Sequence, residues 1–355
     1  MIRSCIRTLG RLLLTMAALL PLASCHSIYD GEGDCSVTYR VDFRYTLNMK
    51  NADALPAEVT RVTLYVFDPA GRLVTVRSEA VAPTDGEHYS MQLDVQPGRY
   101  DLLAWCEGRS PIEGATSFVV RNADAPAAMS DLSCALPLGS DAAGPCVERD
   151  IHRLYHGMAA NVEFPDTYGT VHVGPVSLTK DTNLIRVLLQ QIGGKRIERS
   201  DFEFHIEAAN NELDYRNRVT STALFRYLPW SKQNTSAVFD ETSRPDYAKR
   251  AAAATRTEPN GLLAEFTVGR LIDGTRPELV VRRTTDDREI IRINLIRYLL
   301  LVKGEYNRPM DNQEYLDRQD DYTMMFFVDS DHDWYTAGGL FVNSWMVVPP
   351  QDTEM

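Results

Sequence analysis

The chain has 355 residues, a net charge of −12 at pH 7 and six cysteines. This acidic balance disfavours nucleic acid and anionic lipid as main partners, because both bind surfaces rich in Lys and Arg. The length is sufficient for two domains.

The first 24 residues have the pattern of a secretory signal peptide. Three arginines and no acid precede the apolar run 12–20, which is shorter than the roughly 20 residues that a membrane span requires. The segment ends at Leu22-Ala23-Ser24-Cys25, which resembles the bacterial lipobox, in which the cysteine is diacylated and the chain is cut before it. We therefore predict that residues 1–24 are removed and that Cys25 is the lipid attachment, since two acyl chains give stable anchoring. A plain signal peptide with an incidental cysteine is the alternative.

Residues 25–34 are polar, acidic and glycine-containing, which predicts a flexible spacer before a fold that begins at residue 35. Beyond Cys25, the candidate disulfide cysteines are Cys35, Cys106, Cys134 and Cys146. Four cysteines in an exported chain permit two disulfides, with three pairings left open. Zinc is disfavoured because the sequence has no CxxC motif, so no metal is predicted.

Strand patterns dominate the first third of the chain. Residues 37–49, "VTYRVDFRYTLNM", alternate apolar and polar side chains, which predicts a half-buried strand. Residues 58–76 and 88–106 each predict two strands, joined by turns at residues 68–71 and at Pro97-Gly98. Short strands separated by Pro/Gly turns indicate an all-β sandwich or barrel.

The later chain predicts a second unit of the same kind. Residues 107–150 lack sustained periodicity and indicate a long connection that closes the first domain. Strand patterns resume from residue 171, residues 309–322 predict a short helix, and the alanine run near residue 252 fits a helix or a surface excursion equally well. The predicted domains are residues 35–155 and 156–355.

Catalytic motifs are absent from the sequence. It has no nucleophile elbow, phosphate loop or HExxH motif, so neither an enzyme nor a cofactor is predicted. In "DSDHDW", Asp329, Asp331 and Asp333 alternate as in a calcium loop, but Trp334 and Leu340 replace the required glycine and glutamate. A solvated hairpin loop with capping aspartates is the favoured interpretation, and calcium remains open.

Two other features of the sequence are candidate sites. His152 and His156 have helical spacing and could be ligands on one helix face, but polar surface beside a domain junction is the favoured interpretation. Trp345 is predicted to pack in the core rather than to form a sugar-binding platform.

An ordered series of stretches resembles the FimB/Mfa2 family, the fimbrial anchor lipoproteins of Bacteroidetes-type bacteria. The series comprises the lipobox, "YDGEGDC", "VTYRVDFRYTLNM", "VTLYVFDPAGRLV", "PGRYDLLAW", "LTKDTNLIRVLL", "QEYLDRQDDYTMMFFVD" and "VNSWMVV". The resemblance implies two tandem transthyretin-like β-sandwich domains, a lipid anchor in the outer membrane, and fimbrillin subunits as partners. It also implies assembly by β-strand complementation, in which main-chain hydrogen bonds supply affinity.

Two roles compete within this resemblance, and a third lies outside it. An anchor at the fimbria base would keep its N-terminal strand, whereas a shaft or tip subunit would lose it by proteolysis after an arginine. The first arginine after Cys25 is Arg40, inside the predicted strand, which favours the anchor if Cys35 is disulfide-bonded. The third role is a surface lipoprotein that binds a glycan or host protein through the loop around Trp334.

Overall fold

The computed structural model describes residues 36–82, 88–192, 195–235, 260–304, 306–336 and 340–347. These residues form mainly β-strands with a few short helices, which confirms the all-β prediction. Cys25, Cys35 and the alanine-rich run lie outside the described residues.

Most strands before residue 181 belong to one seven-stranded sheet with the order β3-β2-β5-β10-β11-β1-β4. The strands up to this point are β1 (Val37–Arg44), β2 (Val59–Phe67), β3 (Leu73–Ala80), β4 (Ser90–Leu93), β5 (Gly98–Gly108), β6 (Val119–Arg121), β7 (Ser133–Ala135), β8 (Gly139–Asp141), β9 (Gly144–Val147), β10 (Arg153–Phe164) and β11 (Gly169–Lys180). Helix α1 (Leu55–Glu58) precedes β2.

The seven-stranded sheet curves around its own core. Side chains from both ends of the sheet, on β1 and β4 at one end and on β2 and β5 at the other, meet in one buried apolar cluster. The two halves of the sheet therefore face each other as the layers of a sandwich. A second cluster on the outer face, centred on Trp105 and Leu103, is covered by a three-stranded sheet in which β7 lies between β6 and a strand of the later chain, residues 212–214.

The chain after residue 181, together with β8 and β9, forms two six-stranded sheets around a third apolar cluster. Its strands are β12 (Thr182–Gln191), β13 (Phe202–Ala208), β14 (Glu212–Asp214), β15 (Phe225–Tyr227), β16 (Ser231–Thr235), β17 (Gly261–Gly269), β18 (Glu278–Arg283), β19 (Arg288–Asn294), β20 (Asp321–Val328), β21 (Leu340–Val342) and β22 (Trp345–Val347). The sheet orders are β16-β17-β12-β20-β21-β22 and β19-β18-β13-β15-β9-β8. Helices α2 (Leu295–Leu301) and α3 (Asn312–Arg318) add Leu299 and Leu316 to this core.

The chain passes from the first sheet to a sheet of the later chain at Asp181, between β11 and β12. Strand β10 crosses residue 155 and pairs with β5 and β11 of the first sheet. The region 107–150 is also more than a connection, because β8 and β9 within it join a sheet of the later chain. The division into two separate domains stays a prediction.

The first sheet has two distinct ends. At one end, which we call the tether end, Ser36 accepts a backbone hydrogen bond from Gly169, and β10 turns into β11. The opposite end, which we call the junction end, contacts the later chain: Lys180 pairs with Asp320, and Arg318 donates to the carbonyl of Thr46. Strand β11 runs 12 residues between the two ends, which corresponds to roughly 36 Å.

Candidate functional site

Strand β1 is the feature that the competing roles treat differently. It lies between β11, to which it is parallel, and β4, to which it is antiparallel. Tyr39, Val41 and Phe43 face the core and are at most 1 % exposed, which confirms the predicted alternation. The strand ends at Arg44, because the backbone N–H of Tyr45 donates to the carboxylate of Asp53 instead of to a neighbouring strand.

Side chains connect β1 to β11 and to the turn between β10 and β11. The Tyr39 hydroxyl donates to the carbonyl of Pro165 at 2.6 Å, and its ring packs edge-on against Phe164. On the outer face, Asp42 and His172 of β11 lie 2.7 Å apart. These contacts place the strand in a single register, which a β-bulge in β11 opposite residues 41–43 also fixes.

Arg40 is held within this ladder. Its guanidinium donates to the hydroxyl and to the carbonyl of Ser90 on β4, both at 2.8 Å. The residues on either side, Tyr39 and Val41, are buried. A protease would therefore have to remove β1 from the sheet before it could bind the peptide bond after Arg40.

The candidate disulfides do not form among the three described cysteines. Cys106, Cys134 and Cys146 are free and buried, and they lie in three different sheets, on β5, β7 and β9. Burial raises the pKa of all three thiols, well above its usual range for Cys134, so they remain protonated and unreactive. Cys35 lies outside the described residues.

The loop from Asp329 to Asp333 is a capped turn. The Asp329 carboxylate accepts from the backbone N–H groups of Asp331 and Asp333, at 2.9 and 3.0 Å. Arg283 donates to the Asp333 carboxylate at 3.0 Å, which places a cation where a calcium ion would need only oxygens. Of the two interpretations from sequence, this geometry supports the one with capping aspartates.

An Asp329→Ala variant is expected to lose about 1 kcal/mol of unfolding free energy, because two backbone donors lose their acceptor. Asp331→Ala, at an exposed position in the same loop, is the matched control and should change little. Urea unfolding with and without calcium measures both effects. A midpoint that rises with calcium in the wild type but not in Asp329→Ala would contradict the capping role.

His152 and His156 are not on a helix, so the helical interpretation of their spacing is wrong. His156 lies on β10, is 6 % exposed, donates to the carbonyl of Tyr215 and packs against the Trp105 ring. Burial lowers the pKa of His156 to about 4, so the imidazole is neutral at neutral pH. His156 is therefore part of the packing beneath the three-stranded sheet β14-β7-β6.

The two tryptophans of the C-terminal region exchange their expected environments. Trp345, predicted to be buried, is 70 % exposed on β22, because the turn at Asn343-Ser344 sends β22 back along β21 at the sheet edge. Trp334, considered as an exposed ligand platform, packs edge-on against Phe326 of the core. The environment of Trp334 does not favour a glycan platform in that loop.

The junction end contains buried charges. Asp150 is fully buried, and its carboxylate accepts from Ser110 at 2.5 Å, from Arg153 at 3.1 Å and from the hydroxyl of Thr267. A second cluster surrounds Arg270, which lies close to the carboxylates of Asp181 and Asp317. Such contacts connect Asp150 and β10 with the later sheets. The two parts of the chain therefore share polar contacts as well as a covalent link.

One group of potential metal ligands occurs among the described residues, and its surroundings oppose a cation. Asp141, Cys146 and Glu148 have ligand atoms within 4.8 Å of one another. However, Asp141 already pairs with the guanidinium of Arg226, and burial keeps the Cys146 thiol protonated. The ion pair between Asp141 and Arg226 therefore accounts for this group without a metal ion. The described residues also contain no helix long and apolar enough to cross a membrane.

These features define a β-sandwich protein with an N-terminal strand locked into its sheet and strand edges at its surface. Residues 32–349 match the family of fimbrillin-A associated anchor proteins Mfa1 and Mfa2, and the chain belongs to this family. The family consists of fimbrial anchor and structural proteins and is not an enzyme family, and its members associate with fimbrial subunits. This confirms the resemblance noted in the sequence.

Several solved structures are similar over nearly their whole length. A candidate adhesin of Bacteroides thetaiotaomicron is 29 % identical, with a TM-score of 0.69 over 89 % of this chain and 99 % of that one. A candidate polysaccharide-binding protein of the same organism is 24 % identical, with a TM-score of 0.72 over 90 % and 100 %. The fimbrial anchor protein Mfa2 of Porphyromonas gingivalis is 16 % identical, with a TM-score of 0.57 over 88 % and 99 %. The curated proteins include no match.

Proposed function

We propose that this protein is an outer-membrane lipoprotein, acylated at Cys25, that anchors a fimbria at its base and joins fimbrillin subunits by β-strand complementation. In this proposal two transthyretin-like sandwiches follow a short spacer, and the first is tied to the membrane. The proposal extends the family membership to a specific place in the fimbria.

The observation that carries the anchor role is the position of β1 inside the first sheet, where it pairs with β11 on one side and with β4 on the other. An anchor needs a continuous chain from its lipid to its fold, and cleavage after Arg40 would break that chain. Arg40 is flanked by two paired strands and by the buried side chains of Tyr39 and Val41. Arg44, at the strand end, precedes the fully buried Tyr45. Proteolysis at either arginine would first require the sandwich to open.

Sheet edges supply the surface for complementation. Among the described residues, β22 forms one edge of its sheet, and Trp345 on it is 70 % exposed. A partner strand that pairs there would satisfy main-chain donors and acceptors and would cover an aromatic side chain. Deleting the chain from Leu340 onward is expected to abolish co-purification with fimbrillin.

The lipid anchor is tested by Cys25→Ala in cells. We expect the wild type in the outer-membrane fraction, with the intact mass of a chain that begins at Cys25 plus acyl groups. Cys25→Ala should lose acylation and membrane association, because the thiol is the acceptor of the lipid. Cys35→Ala, which removes a cysteine ten residues later, is the matched control and should remain acylated. A mature start at or after Arg40 without acyl mass would refute the anchor and favour a shaft or tip subunit.

The glycan-binding role has one point of support, the similarity to a candidate adhesin and a candidate polysaccharide-binding protein. A cleft of about 570 Å³ in the later part of the chain is lined by Leu224, Leu271 and other aliphatic or polar side chains, and no aromatic ring of the described residues lines it for a sugar to stack on. A glycan array with Trp345→Ala as control separates this role from the anchor. Binding that disappears with Trp345 would favour the glycan role.

A further inference from the structure

We propose that the parallel pair β1–β11 is a shear-loaded clamp that carries mechanical force from the membrane tether to the rest of the molecule. This inference rests on the proposed function, because it takes the lipid at Cys25 as one point of load and a fimbria bound to the later sheets as the other. It assigns a mechanical role to a strand pair whose sequence shows only that it is buried.

The strand directions determine how a load reaches the pair. Strand β1 begins at the tether end, so a pull on the chain before Ser36 draws β1 out of that end. Strand β11 leaves the sheet at the junction end through Lys180, directly into β12 of the next sheet. The two strands are parallel, so they are pulled from opposite ends along their common axis.

In this geometry the hydrogen bonds between the strands lie across the direction of force. All pairs from Val37↔Gly169 to Arg44↔Ser177 share the load and must break together before the strands can slide. An antiparallel β11 would leave at the tether end, and the same pull would then open the pairs one after another. Parallel pairing therefore converts unzipping into shear.

Three contacts add resistance to sliding. The hydrogen bond from Tyr39 to Pro165, at 2.6 Å, connects β1 to the turn between β10 and β11, and the pair Asp42–His172, at 2.7 Å, connects it to β11. Arg40 connects the other side of β1 to Ser90 of β4. The bulge opposite residues 41–43 opposes a shifted register, because a slipped strand would meet the extra residue at the wrong place.

Single-molecule force spectroscopy on the mature chain, with Cys25 and Cys35 replaced by serine, tests the clamp in two pulling geometries. One handle is placed at residue 306, where the tyrosine is 93 % exposed, as Tyr306→Cys. The other is placed either at the N-terminus or at the exposed junction-end residue 50, as Lys50→Cys. The buried thiols of the three remaining cysteines do not compete for the handles.

We expect a high-force rupture when the load enters at the N-terminus, followed by an extension of about 350 Å as residues 37–138 unravel up to β8, since β8 and β9 are held in a sheet of the later chain. The load applied at residue 50 bypasses the shear contact, and this high-force event should be lost. Equal rupture forces in the two geometries would overturn the clamp.

A reversible staple provides the second test. Thr38 and Thr170 are Cα partners across the pair, so Thr38→Cys with Thr170→Cys can form a disulfide. When oxidised, this variant should lose the extension of the first sheet under N-terminal load, and reduction should restore it. An unchanged extension in the oxidised protein would refute the assigned load path.

The two proposals can fail separately. Force spectroscopy requires no acyl group, so equal forces would refute the clamp and leave the lipid anchor intact. A protein without acyl mass in cells would refute the anchor, and with it the load that the clamp is assigned to carry.

Discussion

An Arg270→Ala variant is expected to lose about 3–5 kcal/mol of unfolding free energy at pH 8, because it removes the cation from a buried charge cluster. The Arg270 side chain is 14 % exposed and binds Asp317 through two hydrogen bonds, at 2.9 and 2.7 Å. It also donates to the carbonyl of Asn217 at 2.5 Å and lies 3.7 Å from the carboxylate of Asp181. Its removal leaves two carboxylates, both less than 10 % exposed, without a counter-charge.

Arg218 provides a matched control for this prediction. It also donates two side-chain hydrogen bonds to one carboxylate, that of Asp214, but its own side chain is 66 % exposed. Water replaces such a contact at little cost, so Arg218→Ala should change stability little. Urea unfolding followed by tryptophan fluorescence compares the two variants. Equal losses would show that burial does not determine the contribution of Arg270.

The cluster around Arg270 also shows what sequence reasoning could not reach. Arg270, Asp181 and Asp317 are distant along the chain. Arginine and aspartate are usually exposed, so the sequence gives no sign that these three are buried together. They meet because β11, β17 and α3 end at the same junction. The alternation of apolar and polar side chains along β1, in contrast, is a local pattern, and the sequence of the strand alone predicts it.

Local sequence patterns did not predict helix α2, the start of helix α3 or the partner of β1. The apolar run after Asn294 is helix α2, whose first turn is capped by the Asn294 side chain, although no helix was predicted there. Helix α3 was predicted, but its cap is Asp311 and Pro309 lies before it. The pairing of β1 with β11 joins residues more than 130 positions apart, and no local pattern encodes its parallel direction.

The disagreement over Trp345 has a similar cause. Its strand pattern was recognised, but edge position is a property of the sheet order and not of the strand. Trp345 lies on the last strand of its sheet, whereas the equivalent apolar positions on β12 lie between neighbours and are buried. Sequence alternation identifies a face, and only topology determines whether that face is covered.

The second large effect is expected at Asp181, whose substitution by asparagine should stabilise the protein above pH 7. The Asp181 side chain is fully buried, and burial raises the pKa of its carboxyl to about 7, although Arg270 and a hydrogen bond from Asn217 act in the opposite direction. One carboxylate oxygen, Oδ2, has no hydrogen-bond partner among the described residues. The ionised form is therefore poorly compensated.

The direction of the pH effect follows from the raised pKa. The folded protein holds the Asp181 proton more tightly than the unfolded chain does, so the stabilisation is complete below about pH 4. The unfolding free energy therefore falls by roughly 4 kcal/mol in total as the pH rises from about 4 to about 7, and this contribution does not change further at higher pH. Asp181→Asn keeps an uncharged side chain at every pH and should lack this loss.

The wild type alone would not reveal this effect, because His156 changes stability in the opposite direction. Burial lowers the pKa of His156 to about 4, so its contribution grows as the pH rises from about 4 to 6.5. The quantity to measure is the difference in unfolding free energy between wild type and Asp181→Asn, at pH 5, 6.5 and 8. In that difference the histidine cancels, and we expect the variant to gain about 3 kcal/mol relative to wild type between pH 5 and 8. A difference that does not depend on pH would mean that the Asp181 carboxyl is already ionised at pH 5, with Arg270 close enough to compensate its burial.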